Sequence, residues 1–476
     1  MMPFKPVILW TDALLFLLVA GAVLFFFYVR GRAHLRRPWR NLAQSKQGMA
    51  ALVFIAFFVG VGLLDSVHFR ARLDGSDSTQ QERFSVQTQS LLDVISGPLR
   101  TRTEKTYSAP LATHLFSKET VQLASGERIR TYPRLEFGGT HLADPEADWL
   151  ADVLRTTAAG LGVAAISWNL LALLLSGLIA YRSQRSMGEA WQTIWRDQEQ
   201  VPWRAILVSA GVIVFVLGPM SVLSTKYHVL GTDKVGQDVF YLTLKSIRTG
   251  LLIATLATLV MLPLATVLGI MAGYFRGWVD DVIQYIYTTL NSIPSVLLIA
   301  AAVLMLQVYM GTHPELFDTI EQRQDLRLLF LCLILGVTSW TGLCRLLRGE
   351  TLKLREQEYV QAAHAFGVPH VSIISRHILP NVMHIILIAV VMDFSGLVLA
   401  EAVLSYVGVG VDPTMTSFGN MINAARLEMA REPMVWWSLA SAFAFMLMMV
   451  LSANLFADAV RDAFDPRIQP GLRGAS

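Results

Sequence analysis

EYVQAAHAFGVPHVSIISRHILPN, residues 358–381, lies between two runs of sequence apolar enough to cross a membrane. Joining two such runs takes only a few residues. This connection instead has two helix-like halves around Gly367, three histidines and a closing proline. From Arg355 to Phe366, the apolar or small residues Tyr359, Ala362, Ala363 and Phe366 recur at helical spacing, while Glu356, Glu358, Gln361 and His364 occupy the other faces. Gly367, able to take a left-handed conformation, stops that helix. Val371 to Ile378 starts a second short helix, and Pro380 ends it while launching the next span. Two readings stay open at this point. One is a helix, turn, helix knob whose alanines let a partner approach the backbone closely; the other is an amphipathic helix lying on lipid headgroups.

Composition sets the class. Hydrophobic residues make up 54% of the 476 and charged residues 16%, and the apolar residues gather in blocks of about 20, the length of a membrane-crossing helix. Nine candidate spans follow: 8–29, 49–65, 158–181, 203–223, 249–272, 285–310, 327–345, 382–405 and 435–457. Lipid offers the backbone no hydrogen-bond partners, so these runs are expected to be helices. The first reads as a retained span rather than a cleaved leader, because Asp12 interrupts its start and no small-residue cleavage site precedes RGRAHLRR. A net charge of +3, with no basic stripe interleaved with aromatics, argues against a nucleic-acid partner. Cys332 and Cys344 share one apolar run and read as packing residues, neither spaced as metal ligands nor as a redox pair.

Cation counting orients the chain. The loop after the first span carries Arg30, Arg32, Arg36, Arg37, Arg40 and Lys46 without an acid, which places it in the cytoplasm. The amino terminus and residues 66–157 are then outside, and the quoted segment and the carboxyl tail inside. Arg345, Arg348, Lys353 and Arg355 after the seventh span agree. In chain order we expect amino-terminal extra helices at 1–65, an external domain at 66–157, an extra span and linker at 158–202, a six-span core at 203–467 and a tail at 468–476. The external segment has balanced charge, apolar clusters and turn signals such as SGE and FGG, the pattern of a small folded α+β domain.

The pattern Ala362, Ala363, Gly367, Leu379 and Pro380 resembles the cytoplasmic EAA loop of ABC importer permeases. Gln361 stands where that loop often has an acid, with Glu358 one turn earlier. EYVQAA and RHILPN resemble the dipeptide, oligopeptide and nickel branch. So do HVLGTDKVGQDVF at 228–240, with Gln237 for the usual Arg, GYFRGWVDDVIQYIYTTLNSIPSVLLIA at 273–300, EAVLSYVGVGVDPTMTSFGNMINAAR at 401–426 and NLFADAVRDAFDPR at 454–467. The resemblance covers residues 200–467, whereas the first 200 fit that pattern poorly. It implies an all-α polytopic fold of the type I importer kind, here with three extra amino-terminal spans and the external domain. It further implies the second-permease type of peptide systems, in a bacterial inner membrane. The implied partners are a homologous permease, two ATPase subunits that hold the ATP and magnesium, and a periplasmic solute-binding protein. Glu358, Ala362, Ala363, Gly367, His377, Leu379 and Pro380 are the implied coupling residues.

Other motifs carry less. GTDKVGQD at 231–238 has the two glycines of a phosphate loop, but Gln237 and Asp238 replace its Lys and Ser/Thr. No such loop occurs elsewhere, so no cofactor or ATP hydrolysis is expected in this chain. His364, His370 and His377 are spaced by six and seven, which does not align imidazoles on one helical face for a metal. Asp393 and Glu401 are carboxylates inside an apolar span, costly unless they face a cavity or a partner. They are candidate pathway residues, Glu401 near an end that water reaches. An ion-coupled carrier using these two acids is the alternative to an ATP-driven importer, and a receptor anchored by its spans is a weaker one. The external domain is expected either to dock the binding protein or brace the sister permease, or to be an appendage that only aids insertion.

Overall fold

Helices dominate because the apolar runs have no other way to satisfy their backbone in lipid. A computed structural model describes residues 4–464 apart from 32, 73–83, 86, 123–127, 185, 198 and 317–318. The tail expected at 468–476 and the SGE turn at 125–127 lie outside the described residues. The helices are α1 (Trp10–Arg30), α2 (Ala33–Gln44), α3 (Lys46–Ser66), α4 (Leu91–Ile95), α5 (Gly97–Thr101), α6 (Pro145–Ser183), α7 (Met187–Trp195), α8 (Trp203–Leu223), α9 (Val239–Phe275), α10 (Trp278–Ser292), α11 (Ser295–Thr312), α12 (Ile320–Arg355), α13 (Glu358–Ala365), α14 (His370–Ile373), α15 (Leu379–Val407), α16 (Phe418–Glu428) and α17 (Trp437–Phe464). Among the described residues nine helical segments are long and apolar enough to cross a membrane: α1, α3, α6, α8, α9, α11, α12, His370–Val407 and α17.

Several spans outrun the apolar runs that announced them. α6 has 39 residues, begun by an Asp144 cap with Pro145 in its first turn, and reaches about 58 Å at 1.5 Å per residue, nearly twice a bilayer's hydrocarbon core. α9 and α12 overshoot similarly. The sixth span differs from expectation: 285–310 is broken, with α10 ending at Ser292, Ile293 extended and α11 beginning after Pro294. Proline disfavours a helical predecessor and has no N–H, and that ends α10.

The chain divides into two compact units that do not follow chain order: Met1–Val7, Ala43–Thr249 and Thr416–Ser452 in the first, and Ile8–Leu42, Gly250–Met415 and Ala453–Ser476 in the second. In the first, α6 packs on α8, and α3 on α8. Small residues permit the approach: a Cβ on Gly160 would lie 2.5 Å from Pro219 Cα, and one on Gly218 2.8 Å from Ala164 Cβ. Trp168 Nε1 donates to the Leu207 carbonyl at 2.9 Å.

The polar excursion between α3 and α6 is an α+β structure. Strand β1 (Phe4–Val7) pairs antiparallel with β2 (His68–Ala71), which pairs with β3 (Gln89–Ser90); β4 (Glu119–Gln122) and β5 (Arg128–Thr131) form a separate hairpin. The β1–β2 ladder sets Phe4–Val7 beside the start of the excursion.

In the second unit α1 packs on α12, and Asp325 of α12 caps it by accepting from the Trp10 and Thr11 amides at 2.8 and 3.3 Å. Such a cap satisfies orphan amides at a helix start. α9 and α12 meet through glycine: a Cβ on Gly269 would lie 2.8 Å from the Cys344 carbonyl, and one on Gly336 2.6 Å from Val260.

Gly160→Val is expected to lower the detergent melting midpoint, since overpacking against backbone costs about 1–3 kcal/mol. Gly162, with nothing within 4 Å of an added Cβ, supplies the matched control. Equal melting of the two valine variants would dismiss the packing account of α6 and α8.

Candidate functional site

The segment 356–378 forms the expected knob. α12 ends at Arg355, α13 follows, and Gly367 turns the chain with φ +73°. The Gly367 amide donates to the His364 carbonyl at 3.0 Å and the Val368 amide to the Ala363 carbonyl at 3.1 Å, closing the helix end as a left-handed glycine permits. The second half differs from expectation. α14 covers only four residues and runs through a π turn, Ile374–Ile378, directly into α15. Pro380 has no N–H for the Arg376 carbonyl, so the ladder shifts to the wider bond from the Leu379 amide to the Ile374 carbonyl. Pro380 thus opens α15 rather than closing a separate helix. Asn381 Nδ2 reaches the His377 carbonyl at 2.6 Å and the Tyr359 hydroxyl at 3.1 Å, tying the two halves together.

Beneath the turn lies a rigid base. Val360, Ile373 and Ile378 are buried in a cluster shared with α9, α10, α12 and α15, and Ala363, Val368 and Leu379 pack against it. Arg348 of α12 grips Asp280 of α10 with both nitrogens of its fork, Nε to Oδ1 at 2.6 Å and Nη2 to Oδ2 at 2.7 Å. That guanidinium holds the Asp280 carboxyl below the usual carboxylate range. Arg355 Nη1 donates to the Tyr274 carbonyl at 2.6 Å, the Tyr274 hydroxyl meets His370 Nδ1 at 2.8 Å, and Arg276 pairs with Glu356. A half-open cavity of about 290 Å³ sits among Tyr274, Arg355, Gln361, His364 and His370.

The tip is apolar and open. Phe366 is 86% and Val371 79% exposed, flanked by exposed Ala362 and Gly367. A large unpartnered phenyl ring on a braced turn is the shape of an anchor for a partner's pocket. Of the seven expected coupling residues, Glu358, Ala362, Gly367 and Pro380 are exposed, while Ala363, His377 and Leu379 are half-buried toward the base. Sequence reading put Phe366 on the face of Tyr359 and the alanines and did not single it out, nor Val371. Bulky apolar residues on either side of a glycine turn were the available signal. Arg348 and Asp280 lie 68 positions apart, with no local pattern to connect them. His364 and His370 come together, ring centroids 5.6 Å apart, because the turn folds one half onto the other.

The structure does not bring the two span carboxylates together. Asp393 is half-buried, without a hydrogen-bond or ion-pair partner among the described residues. Glu401 is 1% exposed and accepts from the Ser405 hydroxyl at 2.8 Å.

Residues 265–470 match the family described as binding-protein-dependent transport system inner membrane component. The oligopeptide transport system permease protein OppC of Mycobacterium tuberculosis is 31% identical over 247 residues, 52% of this chain and 78% of that one. The glutathione transport system permease protein GsiD of Pectobacterium atrosepticum is 31% identical over 242 residues, 51% and 73% of the two chains. The dipeptide transport system permease protein DppC of Bacillus subtilis is 30% identical over 242 residues, 51% and 69%. This chain belongs to that family. It is a membrane-embedded permease component of an ABC importer, and the family match takes in α10 to α15, the whole of the knob and most of its base.

Arg348→Met leaves the buried Asp280 carboxylate without its fork, at an expected cost of about 1–3 kcal/mol. Hydrogen exchange across residues 358–378 of the permease should quicken. Because Asp280 titrates below its ordinary value, the brace contributes above the carboxylate range and is lost only as pH falls through that lowered value. Exchange as slow as in the parent protein would show that the pair does not brace the knob.

Proposed function

We propose that this permease is one of two homologous subunits forming the pathway of an ATP-driven importer, and that two ATPase subunits seat on the knob. The observation that carries this reading is the exposed Phe366–Val371 tip on a base held by buried side chains and the Arg348–Asp280 fork. A lever must be stiff at its root and adhesive at its tip; this one is both. Glu358, Ala362, Ala363, Gly367, His377, Leu379 and Pro380 shape the turn, and Phe366 and Val371 supply its contact area.

The chain supplies no phosphate loop of its own, so ATP and magnesium belong to the partner subunits. Closure of the ATPase pair around ATP moves the knobs, and the spans exchange one packing for another as a population shift between inward-open and outward-open states. A solute-binding protein delivers substrate on the side opposite the knob. We assign the knob and the carboxyl terminus to the cytoplasm and the amino terminus and residues 66–157 to the outside of a bacterial inner membrane, on the cation count of the first loop. The relatives' names point to peptides and glutathione, and we assign this permease a small peptide-like substrate, with Asp393, which has no hydrogen-bond or ion-pair partner among the described residues, on the pathway. An ion-coupled carrier is the poorer reading: Glu401 is 1% exposed, accepts from Ser405 and lies two turns from Asp393 on the same helix.

The test is co-purification with the cognate ATPases together with ATP-dependent uptake in proteoliposomes. Phe366→Asp removes an anchor worth about 2 kcal/mol, and Gly367→Val strains a backbone held at φ +73°. Both should weaken ATPase retention about thirtyfold or more and abolish uptake while the protein still inserts. Normal retention and uptake in both variants would remove the knob from the mechanism.

A further inference from the structure

The segment that links α8 to α9, residues 224–238, is wrapped by backbone from the polar excursion. The Glu104 amide donates to the Gly236 carbonyl at 2.9 Å, the Leu111 amide to the His228 carbonyl at 2.9 Å, and the Gly139 amide to the Lys226 carbonyl at 2.9 Å. Thr232 and Ser108 bond reciprocally: the Ser108 amide reaches Thr232 Oγ1 at 2.6 Å and the Thr232 amide the Ser108 carbonyl at 3.1 Å. The approach is close enough to need glycine. Gly236 sits at φ +76°, and a Cβ there would lie 1.7 Å from the Glu104 carbonyl; Gly231, at φ +72°, would place one 2.5 Å from the Ser108 carbonyl. In GTDKVGQD the glycines make room for another strand of backbone.

Two charged clusters lock this contact. At the first, buried Glu104 accepts from the amides of Glu136, Phe137 and Gly138 at 2.8, 2.8 and 3.1 Å and faces His228 Nε2 at 3.4 Å. His228 Nδ1 meets Asp238 Oδ2 at 2.7 Å, and the other oxygen of Asp238 caps α9 through the Phe240 and Tyr241 amides. At the second, Lys245 of α9 pairs with Asp65 at 3.1 Å and Asp93 at 2.8 Å, while the Tyr241 hydroxyl also donates to Asp93 and Ser90 Oγ to Asp65. Both clusters join the excursion, or the helix end leading into it, to the first two turns of α9.

The geometry points to residues 66–157 as a clamp on the permease itself, with Glu104 and Asp93 as positioning residues that hold the α8–α9 link and the head of α9 in one conformation. An appendage that served only insertion would not need to bury Glu104, Asp93 and His228 against the permease, since unpaired buried charge is costly. A detachable docking module would not thread its backbone through that link. Protonation agrees with this. Burial pushes the His228 imidazole toward neutrality, but its hydrogen bond to Asp238 and the charges of Asp238 and Glu104 outweigh it and raise it from 6.5 to about 9. Burial also opposes ionisation of Asp93, and Lys245 outweighs it, lowering that carboxyl to about 2. Arg102 and Lys226 line the other side of the His228 site. The raised histidine gives stability that is full below its ordinary value and lost as pH rises through about 9.

A reporter decides the matter without depending on what is transported. In the full-length protein, Ser108→Cys places a thiol at a fully buried position, and Cys332 and Cys344 are buried as well. A membrane-impermeant maleimide is applied, and rates are normalised to Thr140→Cys, an exposed site in the same domain. The thiol introduced by Ser108→Cys should be protected at neutral pH and open as pH passes about 9. Added to that background, Glu104→Gln and Asp93→Asn should each raise its labelling rate about tenfold or more, because each removes one partner of a buried charge pair. In Glu104→Gln the opening should also shift to lower pH, and Asp93→Glu should restore protection. Protection unchanged in both neutral variants, rapid neutral-pH labelling of Ser108→Cys with the clusters intact, or a pH profile indifferent to Glu104 would each overturn the clamp. In reconstituted transporter the neutral variants should lose uptake while retaining the ATPases, which separates a failed clamp from a failed knob.

Discussion

Every backbone amide and carbonyl in the spans must find its partner within its own helix, because hydrocarbon supplies none. That constraint makes a membrane-crossing segment a rod, and three of the rods here are longer than the layer they cross: 39 residues in α6, 37 in α9 and 36 in α12. The overshoot is where polar chemistry becomes affordable. Asp325, Arg327 and Asp412 gather at the start of α12, and the Asp93–Lys245 cluster at the start of α9. Arg348 and Arg355 serve the knob at the far end of α12. Inside the layer, contact relies on shape, and glycine at 160, 269 and 336 lets helix axes come close where no hydrophobic drive distinguishes a neighbour from lipid.

Glycine has a different task outside the layer. At Gly231 and Gly236 the positive φ is combined with backbone of another segment pressed against the missing Cβ, whereas at Gly367 the positive φ stands in open space. The first two are sites of intramolecular contact; the third is a turn that keeps a surface free. That difference separates a segment packed within the protein from one left open, and it matches the burial of Ser108 and Thr232 on one hand and the exposure of Phe366 and Val371 on the other.

The knob and its base also show how one residue type divides its labour by depth. Ala362 is exposed and offers a close approach, while Ala363, its neighbour in sequence, is turned toward the buried cluster with Val360 and Ile373. A pair of small residues therefore divides between the open surface and the base. The π turn at Ile374–Ile378 lets the second half of the knob continue into α15 without a break.

Apolar run length by itself determined the class and all nine spans, and the motif order from HVLGTDKVGQDVF through RHILPN placed the chain among the importer permeases. The helix, glycine, helix form of the knob was legible in the spacing of Tyr359, Ala362, Ala363 and Phe366. These are local properties: a period, a run or a turn residue acts within a few positions and leaves its mark there. Pro294 was equally local, and its interruption of the sixth span was masked by the apolar residues on both sides. What tertiary structure alone decided involves partners far apart in the chain. Residues 4–7 become a strand only because 68–71 lie beside them, Arg348 finds Asp280 across 68 positions, and Thr232 meets Ser108 across 124. Charge and hydrogen bonding act through space and leave no periodic trace, so neither the brace beneath the knob nor the grip on the α8–α9 link could be read before the chain was folded.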